Sequence, residues 1–218
     1  MWIWLKHTRQ GDRMKNNTKE RRSYNFEVRA SENERGHIIE GRPVVYNSPT
    51  DLGDFVEIIE SGALDKCDLK DVRFLVNHNL SMIPLARSRN NNENSTMQLT
   101  VDGNGLGIRV DLDTENNADA RALYSAVERG DITGMSFLFV VDGEEWTEVQ
   151  SDKPTRHIRS ISTIIEVSAV TIPAYDATEI NTRSLEALEN ARAALESVNK
   201  DSEARAAAEL ELLKLKYL

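Results

Sequence analysis

Apolar and polar residues alternate with a period of two through most of the middle of the chain, and helical periodicity is confined to two stretches. Tyr24–Ala30 places Tyr24, Phe26 and Val28 on one face, which predicts a strand. Further strands are predicted over His37–Tyr46, Phe55–Ile59, Val72–Asn77, Met97–Val101, Gly107–Leu112, Gly134–Val141 and Ser162–Ile172. Asp102-Gly103-Asn104-Gly105 marks a hairpin between two of them, because glycine takes the positive φ that tight turns need. Ser61-Gly62-Ala63-Leu64 predicts a turn into a short helix. Asn117–Gly130 predicts the helix of the core: Asn117 caps it, Ala120, Leu123, Tyr124 and Val127 form its stripe, and Gly130 ends it. From residue 184 onward Gly and Pro vanish, and Leu185, Leu188, Ala191, Ala194 and Leu195 recur at helical spacing. That predicts a helical tail over 184–218, broken near Asn199-Lys200-Asp201-Ser202.

These patterns divide the chain into a disordered basic arm (1–23), one β-rich domain (24–183) and the helical tail (184–218). All five prolines fall between residues 24 and 182. Met14-Lys15-Asn16-Asn17 makes a natural start, so residues 1–13 are expected to be an upstream reading-frame artefact without function. The formal charge of −9 argues against a general nucleic-acid binder, since neutralising phosphates requires clustered cations. No apolar run approaches the roughly 20 residues of a membrane span. Cys67 is the single cysteine, which excludes a disulfide within the chain. The four histidines are scattered and lack H-x-x-x-H spacing, so no metal or other cofactor is expected.

Three polar residues stand where strands otherwise want to be buried. Ser136 shares a face with Leu138 and Val140, while Met135, Phe137 and Phe139 make the other face apolar as well. A strand covered on both sides obliges Ser136 to find a hydrogen-bond partner. His78 ends the strand whose apolar face is Val72, Phe74 and Val76. Glu166 shares a face with Ile164, Ser168 and Val170, and a glutamate is rarely buried unless paired. Each has a structural reading: a core serine bonded to a carbonyl, a satisfied strand-end histidine, a glutamate at an exposed edge. Together they supply a nucleophile, a base and a carboxylate, the parts of an acyl-transfer triad, which is defined by geometry rather than chain order.

Four ordered stretches carry a family resemblance. Ile39-Glu40-Gly41 followed by Glu57-Ile58-Ile59-Glu60-Ser61-Gly62-Ala63-Leu64 resembles the opening of tailed-phage prohead maturation proteases. Val76-Asn77-His78-Asn79 is similar to their histidine motif, and Arg129–Phe137 to their nucleophile segment. Ile164–Ala174 is similar to their "E-V-S" segment. The likeness spans about residues 24–182. It implies an α+β fold with a β-barrel core and surrounding helices, similar to herpesvirus assemblin proteases, followed here by the helical tail.

It also implies a serine endopeptidase of the bacterial host cytoplasm, acting inside the immature procapsid on the scaffold protein or the scaffolding segment of the major capsid protein, and on itself. By motif His78 is the base, Ser136 the nucleophile and Glu166 the third member. The herpesvirus relatives use a second histidine, which makes His157 the alternative third member, and they depend on dimers, so self-association is a further expectation. Leu138 stands where a glycine is often found, and Ser168 is a competing nucleophile beside Glu166. Backbone N–H groups near Gly134, or the loop with Arg87 and Arg89, are candidate oxyanion donors. The tail is expected either to pack on scaffold helices or on its own domain. The rival functions are a non-enzymatic assembly protein keeping the protease fold, and an esterase or acyl-transferase using the same three residues.

Overall fold

The strand that begins at Gly134 does not stop where the sequence turns polar. It runs on through Thr147, turns, and returns as a strand two residues longer, so one hairpin carries both the core and a charged extension. The computed structural model describes residues 19–24, 28–33, 36–171, 185–197, 200, 205 and 209.

In chain order the elements are β1 (Lys19–Tyr24), β2 (Arg29–Asn33), β3 (Gly36–Val45), β4 (Thr50–Asp51), β5 (Val56–Ile59) and β6 (Asp71–Val76). They continue with β7 (Ala86–Arg89), β8 (Met97–Asp102), β9 (Gly105–Leu112), α1 (Ala118–Glu128), β10 (Gly134–Thr147) and β11 (Thr155–Val170). A second helix, α2, covers residues 185–197.

Two sheets result. The larger runs β1-β10-β11-β5-β4, with β6 also paired to β11 and β7 to β6. The smaller runs β2-β3-β9-β8. Ile39, Val44, Met97, Leu106 and Val110 of the small sheet share one buried cluster with Phe74, Met135, Phe137, Phe139 and Val167 of the large one. α1 adds Ala120, Leu123 and Val127. Asn117 caps α1 through bonds from the N–H groups of Asp119 and Ala120, as its sequence predicts. Gly105 closes the β8–β9 hairpin at φ 131°, where a Cβ would stand 2.1 Å from the Val44 carbonyl oxygen, so only glycine fits.

The α+β class holds, but the expected closed barrel does not form among the described residues. Closure needs a ladder joining the two edges of one sheet. Here β11 forks, pairing in parallel with β5 along its first half and with β6 along its second, and the smaller sheet packs as a separate layer. The predicted strand Tyr24–Ala30 is also not continuous: Tyr24 ends β1 in the large sheet, whereas Arg29 begins β2 in the small one. Residues 61–66 form turns rather than a short helix.

The unstructured arm was expected to reach residue 23, yet Lys19–Tyr24 is an antiparallel edge strand on β10. Its inward groups are charged, which hides it from an apolar pattern. Arg22, 1% exposed, binds Glu57 through Nε and, at 2.6 Å, through Nη2, and reaches Glu20 at 2.7 Å. Arg156 binds Glu20 at 2.6 and 2.8 Å, Glu57 at 2.9 Å, and Glu144. Burial acts against both guanidinium charges, but the surrounding carboxylates outweigh it and raise both pKa values. β1 is thus tied to β5, β10 and β11 by ion pairs buried in the sheet.

α2 packs on the domain: Leu188 is buried, and the Arg192 Nε–H donates to the Val149 carbonyl at 2.8 Å. Residues 1–18 of the arm, the 172–174 end of the "E-V-S" segment and the expected tail break lie outside the described residues, apart from Lys200, which is helical. Among the described residues no helix is long and apolar enough to cross a membrane.

Candidate active site

The register of β10 and β11 sets the site before any loop does. Ser136 lies opposite Ser168, and Leu138 opposite Glu166. Paired residues point to the same side of a sheet, so Ser136 and Glu166 share the face turned away from Phe137 and Val167. β6 runs alongside, with Leu75 beside Ser168 and Val76 beside Ala169.

At the end of β6 the chain doubles back. Asn77 and His78 both adopt left-handed conformations, at φ 52° and 56°, a region only sparsely used by residues other than glycine. The bend is held at several points. The Asn77 N–H donates to the Ala169 carbonyl at 2.9 Å, and the Asn79 N–H closes the turn on the Val76 carbonyl at 3.1 Å. Asn77 Oδ1 accepts from the Thr171 N–H at 3.0 Å and the Thr171 hydroxyl at 3.2 Å. The His78 N–H donates to Ser168 Oγ at 3.1 Å. The imidazole is thereby folded over the face that carries Ser136 and Glu166.

His78 Nε2 is 2.5 Å from Ser136 Oγ, and His78 Nδ1 is 2.5 Å from Glu166 Oε1. A carboxylate can only accept, so Nδ1 carries the proton and the Nε2 lone pair faces the serine hydroxyl when the ring is neutral. Glu166 Oε2 accepts from the Ser168 hydroxyl at 2.6 Å. Ser136, Glu166 and Ser168 are fully buried, and His78 keeps 13% of its side chain exposed. The Ser136 hydroxyl has a second acceptor, the Arg22 carbonyl of β1 at 2.8 Å.

The three residues singled out in the sequence therefore meet. His157 does not join them. It binds Glu60 through Nδ1 at 2.6 Å and Thr147 through Nε2 at 3.1 Å, nine residues before Glu166 on β11, roughly 30 Å away by strand rise. Ser168, expected as a competing nucleophile, gives its proton to Glu166 and its lone pair to the His78 N–H, so it has no base of its own. The sequence marked this residue but not its part in orienting the imidazole. The Arg87 and Arg89 N–H groups are occupied by Thr96 Oγ1 at 2.9 Å and Ser95 Oγ at 3.0 Å, which removes them as oxyanion donors. Burial pushes the Cys67 thiol up to about 12, so it offers no thiolate near neutral pH.

A hydroxyl, an imidazole and a carboxylate in one hydrogen-bonded chain make the arrangement of serine hydrolases. The chain belongs to the caudovirus prohead serine protease family, whose pattern matches residues 24–191. That match covers all four motifs and runs on into α2. Among solved structures, the capsid assembly protease gp21 of bacteriophage T4 is similar at 12% identity and a TM-score of 0.35, over 69% of this chain and 98% of that one. No curated protein matches the chain.

Proposed function

We propose that the chain is a serine endopeptidase that cleaves the scaffold protein, or the scaffolding segment of the major capsid protein, and also itself, inside the immature phage capsid in the host cell. The observation that carries this reading is the continuous Ser136–His78–Glu166 hydrogen-bonded chain, with both links at 2.5 Å. Membership of the prohead protease family supports the choice of a peptide bond over a small ester.

In this reading Ser136 Oγ attacks the scissile carbonyl carbon while His78 Nε2 takes the hydroxyl proton. Glu166 stabilises the imidazolium and remains ionised. The tetrahedral intermediate collapses as His78 protonates the leaving amine, and a water activated by His78 then releases the acyl group from Ser136. Ser168 holds both Glu166 and the His78 backbone in place. Ser136 is fully buried beside β1, so in this reading substrate reaches Oγ only when the groups that cover it move aside.

The test is intact mass over time for the purified chain and for Ser136→Ala, each mixed with its unprocessed capsid protein. Trimming of the chain or the capsid protein by wild type alone is the expected result. Two intact mixtures would instead leave a non-enzymatic assembly protein as the reading.

A further inference from the structure

The β10–β11 hairpin holds a second hydroxyl, imidazole and carboxylate in one hydrogen-bonded chain, at the end away from Ser136. His157 Nδ1 is 2.6 Å from Glu60 Oε1, and His157 Nε2 is 3.1 Å from Thr147 Oγ1. A carboxylate can only accept, so in the neutral ring Nδ1 carries the proton and the Thr147 hydroxyl donates to the Nε2 lone pair. The two chains are built alike. Ser136 and Thr147 both come from β10, and Glu166 and His157 both from β11. The third members, His78 and Glu60, each lie just past a strand that pairs in parallel with β11, β6 in one case and β5 in the other. The fork of β11 thus assembles the same order of atoms twice, with base and carboxylate exchanged between β11 and its parallel neighbour. We infer that Thr147 is a second nucleophile, which takes the acyl group of small activated carboxylic esters, with His157 as its base and Glu60 as the positioning residue. The inference does not rest on the endopeptidase reading above, because no atom of the Ser136 site takes part.

Three observations carry it. The first is access. Ser136 is fully buried, whereas Thr147 is half-buried at the end of β10, and His157 and Glu60 keep 18% and 23% of their side chains exposed. The second is how little the fold gains from the arrangement. Polar groups this near the surface can bond water instead, and such pairs contribute little to stability. The third is the charge alongside. Arg159, two residues beyond His157 and on the same face of the strand, binds Glu145 at 2.9 Å and stands 3.9 Å from Glu60. Its half-exposed guanidinium places positive charge beside the chain of atoms, where a carbonyl oxygen that turns negative is stabilised.

In the reaction Thr147 Oγ1 bonds to the ester carbonyl carbon while His157 Nε2 takes its proton. The bond from that carbon to the alcohol oxygen breaks, and the alcohol leaves with the proton. Water then attacks the acyl-threonine as His157 takes one of its protons. The carboxylic acid departs, and His157 returns the proton to Thr147 Oγ1. A secondary hydroxyl is hindered, so a good leaving group is needed, which limits the substrates to activated esters.

The test uses the full chain carrying Ser136→Ala, so that turnover cannot come from the buried serine, with para-nitrophenyl acetate as probe. Nitrophenolate release is followed, and acid-quenched samples are mapped by peptide mass for the acetyl group. The acetyl group is expected on Thr147. Thr147→Val should remove that label, and His157→Gln should slow release by about 100-fold or more, the lower end of general-base catalysis. Glu60→Gln should slow it by about 10- to 100-fold and change the pH–rate profile, with part of the loss recovered in Glu60→Asp. A purely structural glutamate would leave the profile in place. Thr155→Val, opposite Thr147 in the hairpin, should react like the parent. Release that is unchanged in Thr147→Val and His157→Gln, with the acetyl group on lysines, would overturn the inference and leave the cluster a structural one. If Thr147→Val does not melt like the parent, Thr147→Ser decides in its place: the label should stay at position 147, and its absence there overturns the inference equally.

Discussion

Ser136 Oγ stands 2.5 Å from His78 Nε2 and 2.8 Å from the Arg22 carbonyl oxygen, so one hydroxyl proton has two acceptors. Which of them receives it depends on the imidazole tautomer, and Glu166 sets the tautomer. While the carboxylate holds the Nδ1 proton, the Nε2 lone pair is free for the serine. In Glu166→Gln the carboxamide can donate to Nδ1 instead. Nε2 then carries the proton, and the hydroxyl turns to Arg22. The expected result is a fall in kcat of about 10⁴ with KM little changed. His157→Ala, which touches only Glu60 and Thr147 among these groups, should stay within about twofold of wild type. Equal losses in the two variants would remove Glu166 from the relay.

Ser168→Ala should cost activity without removing any reacting group. The change leaves the His78 N–H without its acceptor and Glu166 with one fewer donor. A drop in kcat of about 10- to 100-fold is expected, by analogy with the loss of an orienting partner, together with about 1–3 kcal/mol of stability. The pH–rate profile separates the two effects. Loss of orientation shifts the apparent pKa of the base, whereas a purely structural role leaves it in place.

Glu57→Gln should destabilise the fold by about 3–5 kcal/mol, because it strips the carboxylate from between two buried guanidinium groups. Lys153→Ala removes an exposed pair with Asp51, with 41% and 61% of the side chains in water, and should move stability by less than about 1 kcal/mol. Denaturant midpoints for both variants check the contrast. Comparable losses would mean that the internal network does not hold β1.

Stability should also fall in acid. Burial opposes ionisation of Glu20, but the Arg156 and Arg22 guanidinium groups outweigh it and hold the carboxyl below its ordinary value of 4.5. A carboxyl lowered in the folded state stabilises fully above its unfolded value, and that contribution is lost as pH falls through the folded value. Tm measured from about pH 6 to about pH 3 should decline below the ordinary carboxylate range. In Glu20→Gln the decline should be shallower, and an identical profile would exclude this group as the source.

The candidate site was legible where a polar residue interrupted an apolar strand. Ser136 amid Met135, Phe137 and Leu138, and Glu166 amid Ile164, Ile165 and Val167, both contradict their neighbourhoods, and only a specific partner resolves the contradiction. The helix was legible through Asn117 and its stripe. β1 was not, because Glu20 and Arg22 look like a solvated face until Glu57 and Arg156, distant in the chain, are brought to them. The charged half of the β10–β11 hairpin escaped for a related reason. Cross-strand pairs such as Glu145–Arg159, at 2.9 Å, accompany it where apolar alternation has ended. Nor does any periodicity announce the left-handed turn at Asn77 and His78, since it depends on Thr171 arriving from just beyond the end of β11.

The face-to-face pairing of Ser136 with Ser168 has a consequence for molecules that fold wrongly. Strand register changes only in whole residues, and each step turns a side chain to the opposite side of the sheet. A slip of β10 by one position would offer Met135 or Phe137 to the imidazole in place of the hydroxyl. Between correct threading and none, this architecture allows no half-formed version of the hydrogen-bonded chain. On the endopeptidase reading a mis-threaded copy has no hydroxyl at the imidazole, so fidelity of assembly and the onset of chemistry would be a single event.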